Sequence, residues 1–240
     1  MTDGSAHTVR SFDAALTGLS KLIVSFGGLV TSQVEDAVRA LLTGDDELAA
    51  RVIVREKEIN ALDQQVEDKA LRLVATRSPK GRDLRAVFGM LKTGTDLERV
   101  GDEAKKIAKV ARIIAAERPV PSERLAAAIE NMSAKAVSLL THLLSAIDAG
   151  DEEGVITAAE SDRALDREYK SAMSQIQEMI EEDGELLVHI ADAVLTLKSI
   201  ERVGDHAKNI AKHYVFYTQG RNVQHVKTRD LREAASGERE

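Results

Sequence analysis

The chain has 240 residues, of which 43% are hydrophobic, 30% charged and 3% aromatic, with three prolines, no cysteine and a net charge of −7. The lack of cysteine excludes disulfides, thiolate catalysis and cysteine-based metal sites, and the acidic balance argues against nucleic acid or anionic lipid as a partner. Few aromatics, with abundant Ala, Leu, Glu, Lys and Arg, favour helix over sheet.

The opening residues, MTDGSAHTVR, hold no apolar segment and predict no secretory signal. The longest apolar run, Leu22 to Val30, is interrupted by Ser25, Gly27 and Gly28 and is too short to span a bilayer. A cytoplasmic protein is expected. A first helix is predicted from about Ser11, as N-cap, to Leu42; Gly44 ends it, and Asp45 and Asp46 open the second. The second runs to about Thr76 and stops at Arg77-Ser-Pro79-Lys-Gly81. The third spans Asp83 to Glu117. Pro119-Val-Pro121-Ser122 marks the boundary between halves. The plan then repeats: a helix from Ser122 to Asp148, a stop at Gly150-Asp151, a helix to about Glu182, a break at Asp183-Gly184, and a last helix from Glu185 to about Thr218, ended by Gly220. From Arg221 onward apolar periodicity is lost, which predicts a frayed tail. The expected units are therefore 8–118, 122–220 and the tail 221–240.

One stretch occurs twice. Glu98-Arg-Val-Gly101-Asp102-Glu-Ala-Lys105-Lys-Ile-Ala-Lys109 returns as Glu201-Arg-Val-Gly204-Asp205-His-Ala-Lys208-Asn-Ile-Ala-Lys212, with ten identities in twelve positions at an offset of 103. Gly44-Asp45 and Gly150-Asp151 repeat at 106, which calls for a three-residue difference between second and third helices, placed near Pro79 and Gly81. A period this long means two copies of a domain-sized unit. The fold class is therefore all-α: six long helices as two pseudo-symmetric antiparallel three-helix bundles, each rod roughly 40 to 50 Å long.

The last helix carries a stripe at alternating spacings of four and three through Leu186, Ile190, Ala193, Leu197, Ile200, Gly204, Ala207, Ala211 and Tyr214. Gly204 lies on it and recurs as Gly101, which predicts a neighbouring helix packed unusually close. Glu201 and Asp205 stand one residue past that stripe and four apart, so they leave one helix face, as Glu98 and Asp102 do. On the second helices Asp162 and Asp166 have the same spacing, with Glu56 and Asn60 as their first-half equivalents. Paired carboxylates repel unless a cation joins them, and their oxygens suit Mg, Ca, Mn or Fe.

On spacing alone a solvated, salt-bridged face is the favoured reading, since Lys105, Lys106 and Lys208 stand at helical neighbours and Arg99 and Arg202 are adjacent. The doubled occurrence with the stripe glycine favours the metal. His206 points about 100° away from Asp205 and is expected in solvent, as are His189 and His213. The candidate helices hold no Glu-x-x-His, and the chain has no Gly-rich phosphate loop, nucleophile elbow or zincin motif, so no catalytic machinery is expected.

The doubled motif resembles the PhoU family of phosphate-signalling proteins. So do Ser11-Phe12-Asp13, the run Leu16 to Leu42 with Ala40-Leu-Leu-Thr-Gly44-Asp45, and Gly220-Arg221-Asn222-Val-Gln-His225. The likeness covers about residues 8 to 227. It implies two three-helix bundles, usually in a homodimer, and a negative regulator of phosphate uptake and the phosphate-starvation response. Such a protein bridges the Pst phosphate transporter, through its ATPase PstB, and the sensor histidine kinase PhoR, and is not an enzyme. The resemblance also implies Mg, Mn or Fe ions on Glu98, Asp102, Glu201 and Asp205, with Glu56, Asn60, Asp162 and Asp166 from the partner helices. Two positions depart from the family pattern: Asn60 is a neutral amide where a carboxylate is accepted, and Lys212 stands where Glu is expected. A metal-independent helical adaptor and a metal-dependent enzyme on a helical bundle stay open as other classes.

Overall fold

A computed structural model describes residues 4–117, 120–182, 187–227 and 230–236. Six long helices, α1 Gly4–Thr43, α2 Asp46–Arg77, α3 Arg82–Glu117, α4 Glu123–Ala149, α5 Glu152–Glu182 and α6 Leu187–Gln219, are followed by a short α7, Leu231–Ser236. The first three form one antiparallel bundle and the next three a second. The described residues hold no strand.

Local chemistry sets the helix ends. The Asp45 side chain accepts a hydrogen bond from Leu48 N at 2.9 Å and Ser122 one from Leu125 N at 3.5 Å, satisfying backbone donors that a first turn leaves open. Gly44, Gly150 and Gly220 stop their helices at φ of 67°, 69° and 76°, the left-handed region that favours glycine. α1 begins at Gly4, a turn and more before Ser11, because nothing in that stretch breaks a helix. The Pro119 side of the inter-bundle boundary, the Asp183-Gly184 break and the expected helix start at Glu185 lie outside the described residues.

α1 from Phe12 to Thr43 is long and apolar enough, by length and composition, to cross a membrane, with mean hydropathy 1.5 in its apolar window. The Leu22–Val30 run read from the sequence is the middle of this longer segment. The helix lies against α2, α3 and α4, with Leu19, Ile23, Phe26, Val30, Val34 and Leu41 in the core.

The tail is also corrected. Val223, Leu231 and Ala235 are buried. Arg232 binds Glu160 at 2.9 Å and also meets Glu153, both on α5. Arg221 donates to the carbonyls of Ala234 and Ala235 at 3.1 and 2.8 Å. Three apolar side chains with two arginine clamps order this segment even though they repeat with no helical period.

The halves meet chiefly along α3 and α6, which run antiparallel. A Cβ on Gly89 would stand 2.9 Å from Tyr217, Asp96 lies between His206 and His213, and Glu103 faces Arg202. α1 crosses to α4 as well, where a Cβ on Gly27 would fall 2.4 Å from Leu144 Cδ2. α3 therefore packs against both its own bundle and the other one, and is buried around most of its circumference.

Candidate functional site

The two stripe glycines do admit close neighbours. A Cβ on Gly101 would meet Ile59 Cδ1 at 2.9 Å, and one on Gly204 would meet Leu165 Cδ2 at 2.3 Å and Asp162 Oδ1 at 3.1 Å. Ile59 and Leu165 are duplication equivalents, so α2 docks on α3 as α5 docks on α6. This approach brings the predicted carboxylates of neighbouring helices together.

In the second half, Lys208 Nζ stands 2.7 Å from Asp205 and 3.0 Å from Asp162, joining α6 to α5 through one ammonium. Asp162 is 2% exposed. Burial pushes its carboxyl upward, Lys208 opposes this, and Asp166 and Asp205 add to it. Burial alone would lower the Lys208 pKa, but hydrogen bonds to both aspartates and attraction to them raise it. Glu201 is held by Lys198 at 2.7 Å.

In the first half, Lys105 pairs with the buried Glu56 across α2 and α3. Glu98 is pushed upward by burial and then by Asp102, Asp63 and Glu56, which Arg99 only partly offsets. Asn60, one of the predicted ligands, is exposed. Asp63 takes the inward position beside Gly94, where a Cβ would lie 3.2 Å from its Oδ1. Its second-half equivalent is Tyr169, whose ring lies 5.6 Å from Lys198. The first cluster thus has an acid where the second has a phenol with a lysine beside it.

The eight predicted residues fall into one group per bundle, in which a lysine of the duplicated motif holds Glu56 in the first and Asp162 and Asp205 in the second. Among the described residues, no three of His, Cys, Asp and Glu are gathered as a ready metal-ligand set. Lys208 stands between Asp162 and Asp205, and Lys105 caps Glu56. Donor chemistry suits a hard cation, since every candidate offers oxygen.

A third group went unrecognised in the sequence. Asp96, 4% exposed, receives His206 Nδ1 at 2.9 Å on Oδ1 and His213 Nε2 at 2.9 Å on Oδ2. Asn209 Nδ2 donates to Oδ1 at 3.5 Å. Burial raises the Asp96 carboxyl, but hydrogen bonds and attraction from His206 and His213 prevail and lower it to about 2. An ionised carboxylate only accepts, so His206 carries its proton on Nδ1 and His213 on Nε2. Both histidines, expected in solvent, are seam residues. The available signal was a stripe through Gly89, Thr93, Asp96, Val100, Glu103, Ile107 and Val110, which reads as polar because of its two acids.

The family model described as the PhoU domain matches twice, at residues 23–111 and 129–213. The chain belongs to the PhoU family. It is 31% identical over 233 residues to the phosphate-specific transport system accessory protein PhoU homolog of Pseudomonas aeruginosa, covering 97% of this chain and 96% of that protein. The crystal structure of PhoU from Pseudomonas aeruginosa superposes with a TM-score of 0.82 at 32% identity, covering 87% of this chain and 99% of that one. The phosphate transport system regulatory protein PhoU from Streptococcus pneumoniae gives 0.80 at 27% identity, covering 89% and 99%. PhoU membership and the helical-bundle fold agree with the expectation from the duplicated motif.

Proposed function

We propose that this PhoU protein is a negative regulator of phosphate uptake and of the phosphate-starvation response, acting as an accessory to a phosphate-specific transporter. The observation that carries the reading is near full-length similarity to accessory proteins of that transport system. It works as a cytoplasmic homodimer that docks on the transporter ATPase, PstB, and on a PhoR-type sensor histidine kinase, with no catalytic step of its own. Deleting the gene tests this: alkaline phosphatase is expected to be derepressed in high phosphate, and continued repression would reject the regulatory role.

The two carboxylate clusters are proposed metal sites. Mg, Mn or Fe would be held by Glu56, Glu98 and Asp102 in one half, with Asp63 in the inward place expected of Asn60, and by Asp162, Asp166, Glu201 and Asp205 in the other. The metal would supply charge neutralisation and a cross-link between neighbouring helices, a task Lys105 and Lys208 share. The crowding of Asp102, Asp63 and Glu56 around Glu98 supports this reading. Metal content is measured by mass spectrometry on untagged protein, for wild type and the quadruple Glu98, Asp102, Glu201 and Asp205 alanine variant. Stoichiometric metal lost in the variant is expected. Metal absent from both returns the clusters to lysine-bridged helix faces and the protein to a metal-independent adaptor.

A further inference from the structure

Two short polar stripes flank the α3–α6 seam, the one on α3 exposed to solvent. Lys92, Thr95 and Arg99 share one face of α3, and Asn209, Lys212 and His213 share one face of α6, by helical spacing. With Gln224 they wall a cavity of about 310 Å3 between the bundles. No predicted metal ligand lines it, although Arg99 neighbours Glu98 and Lys212 lies within electrostatic reach of Asp205 and Lys208.

The cavity is positive. Asp96 is its one acidic wall residue, and both its oxygens are taken by histidine. Arg99 approaches that carboxylate only to 4.0 Å. Lys92 pairs with no carboxylate among the described residues. Lys212 is half-buried and donates to a neutral carbonyl, Gln224 O, at 3.1 Å. Burial and then repulsion from Lys208 push its pKa down, with Asp205 opposing, which marks a cation short of counter-charge. Three cations against one carboxylate leave two positive charges, the complement of a phosphate dianion. The arrangement is one-sided: the duplication equivalents of Lys92 and His213 are Leu195 and Val110, and that of Lys212 is the exposed Lys109.

We propose that this cavity binds a phosphate group, from inorganic phosphate or from a phosphomonoester, with Lys92, Arg99 and Lys212 supplying charge and Asn209 a neutral donor. Trying inorganic phosphate first rests on the regulatory reading above; the oxyanion chemistry of the cavity does not.

The test is calorimetric titration of the full chain with inorganic phosphate and, separately, with AMP. It is run on wild type, Lys212→Gln, Arg99→Gln and Lys109→Gln at low ionic strength, where charge attraction is least screened. Losing one charge-assisted hydrogen bond is expected to weaken binding about tenfold or more in the first two variants and leave Lys109→Gln unchanged. A response to phosphate alone assigns the inorganic source, and one to AMP alone assigns the ester; either supports the cavity. No binding of either at about 10 mM, where even millimolar affinity saturates, overturns the proposal. So does binding that survives both cavity variants. Lys212→Arg, which keeps the charge, should retain binding and keeps the comparison decisive if a glutamine variant fails to fold. A negative titration beside a positive deletion phenotype would overturn the cavity assignment alone.

Discussion

Glu103 and His206 occupy the same position in the two copies of the duplicated motif, and each reaches across the seam into the opposite half. Glu103 Oε1 lies 3.4 Å from Arg202 Nε of α6, and His206 Nδ1 lies 2.9 Å from Asp96 Oδ1 of α3. This is one of two positions at which the twelve-residue copies differ. The shared Gly101 and Gly204 set the packing inside each bundle, and the variable position contributes to the joint between bundles. An acid on one side and an imidazole on the other let the two ends of the seam find different partners.

Glu103 is 3% exposed and shares one oxygen between Arg202 and, at 2.8 Å, Lys106. Either cation removed alone leaves the other in place, so Arg202→Ala and Lys106→Ala should each cost under about 1 kcal/mol. Together they strand a buried carboxylate, for about 3 kcal/mol. Urea denaturation of both single variants and the double gives the coupling energy. Additive losses would show that Glu103 is solvated through another route.

Asp96 makes the seam acid-labile. Its folded pKa, about 2, is below the unfolded value of 3.8, so its contribution is complete above 3.8 and is lost as pH falls toward 2. The size is about 2 kcal/mol. Melting temperatures across this range should fall more steeply for wild type than for Asp96→Asn, with the two curves converging near the acid end. Parallel curves would mean that the histidines do not hold the carboxylate ionised.

Gly204 and Gly28 predict opposite responses to alanine. A Cβ at Gly204 would collide with Leu165 and crowd Asp162, whereas one at the exposed, helical Gly28 meets nothing within 4 Å. Gly204→Ala should lose about 1–3 kcal/mol through overpacking, and Gly28→Ala should gain about 0.5–1 kcal/mol from helix propensity. Thermal melts of the two variants decide. An unaffected Gly204→Ala would mean that α5 and α6 can separate without cost.

Lys208 is the counter-ion of a nearly inaccessible acid. Lys208→Met leaves Asp162 uncompensated and should cost about 3 kcal/mol; adding Asp162→Asn should recover most of that loss by removing the charge. If the cluster takes a divalent cation, millimolar Mn or Mg will raise the melting temperature of Lys208→Met more than that of wild type. Equal shifts would place the cation elsewhere.

The period of the apolar stripes, the capping residues Asp45 and Ser122, the terminating glycines and the doubled motif made six helices and two like halves legible in the chain itself. Those features are local, acting within one helical turn or by direct repetition. Gly101 and Gly204 announced close packing because a helix keeps glycine at a cost, and both have a neighbour's side chain where a Cβ would be. The candidate ligands were readable as i, i+4 pairs, although Asn60 is exposed and Asp63 takes the inward place, a difference in direction of about a sixth of a helical turn that spacing alone does not resolve.

The order of the tail, the use of His206 and His213, and the charge of the inter-bundle cavity were decided by tertiary structure alone. Asp96 is 117 residues from His213 along the chain, and no periodicity links them. α3 has one apolar side toward its own bundle and another, carrying Asp96 and Glu103, toward the opposite one. In a single helix, that second face has the composition of a surface exposed to water. Only the antiparallel docking of α6 supplies the imidazoles and guanidinium that let its acids be buried. The two bundles are written in local period and repetition; how they are joined depends on pairing charges that meet only after both have folded.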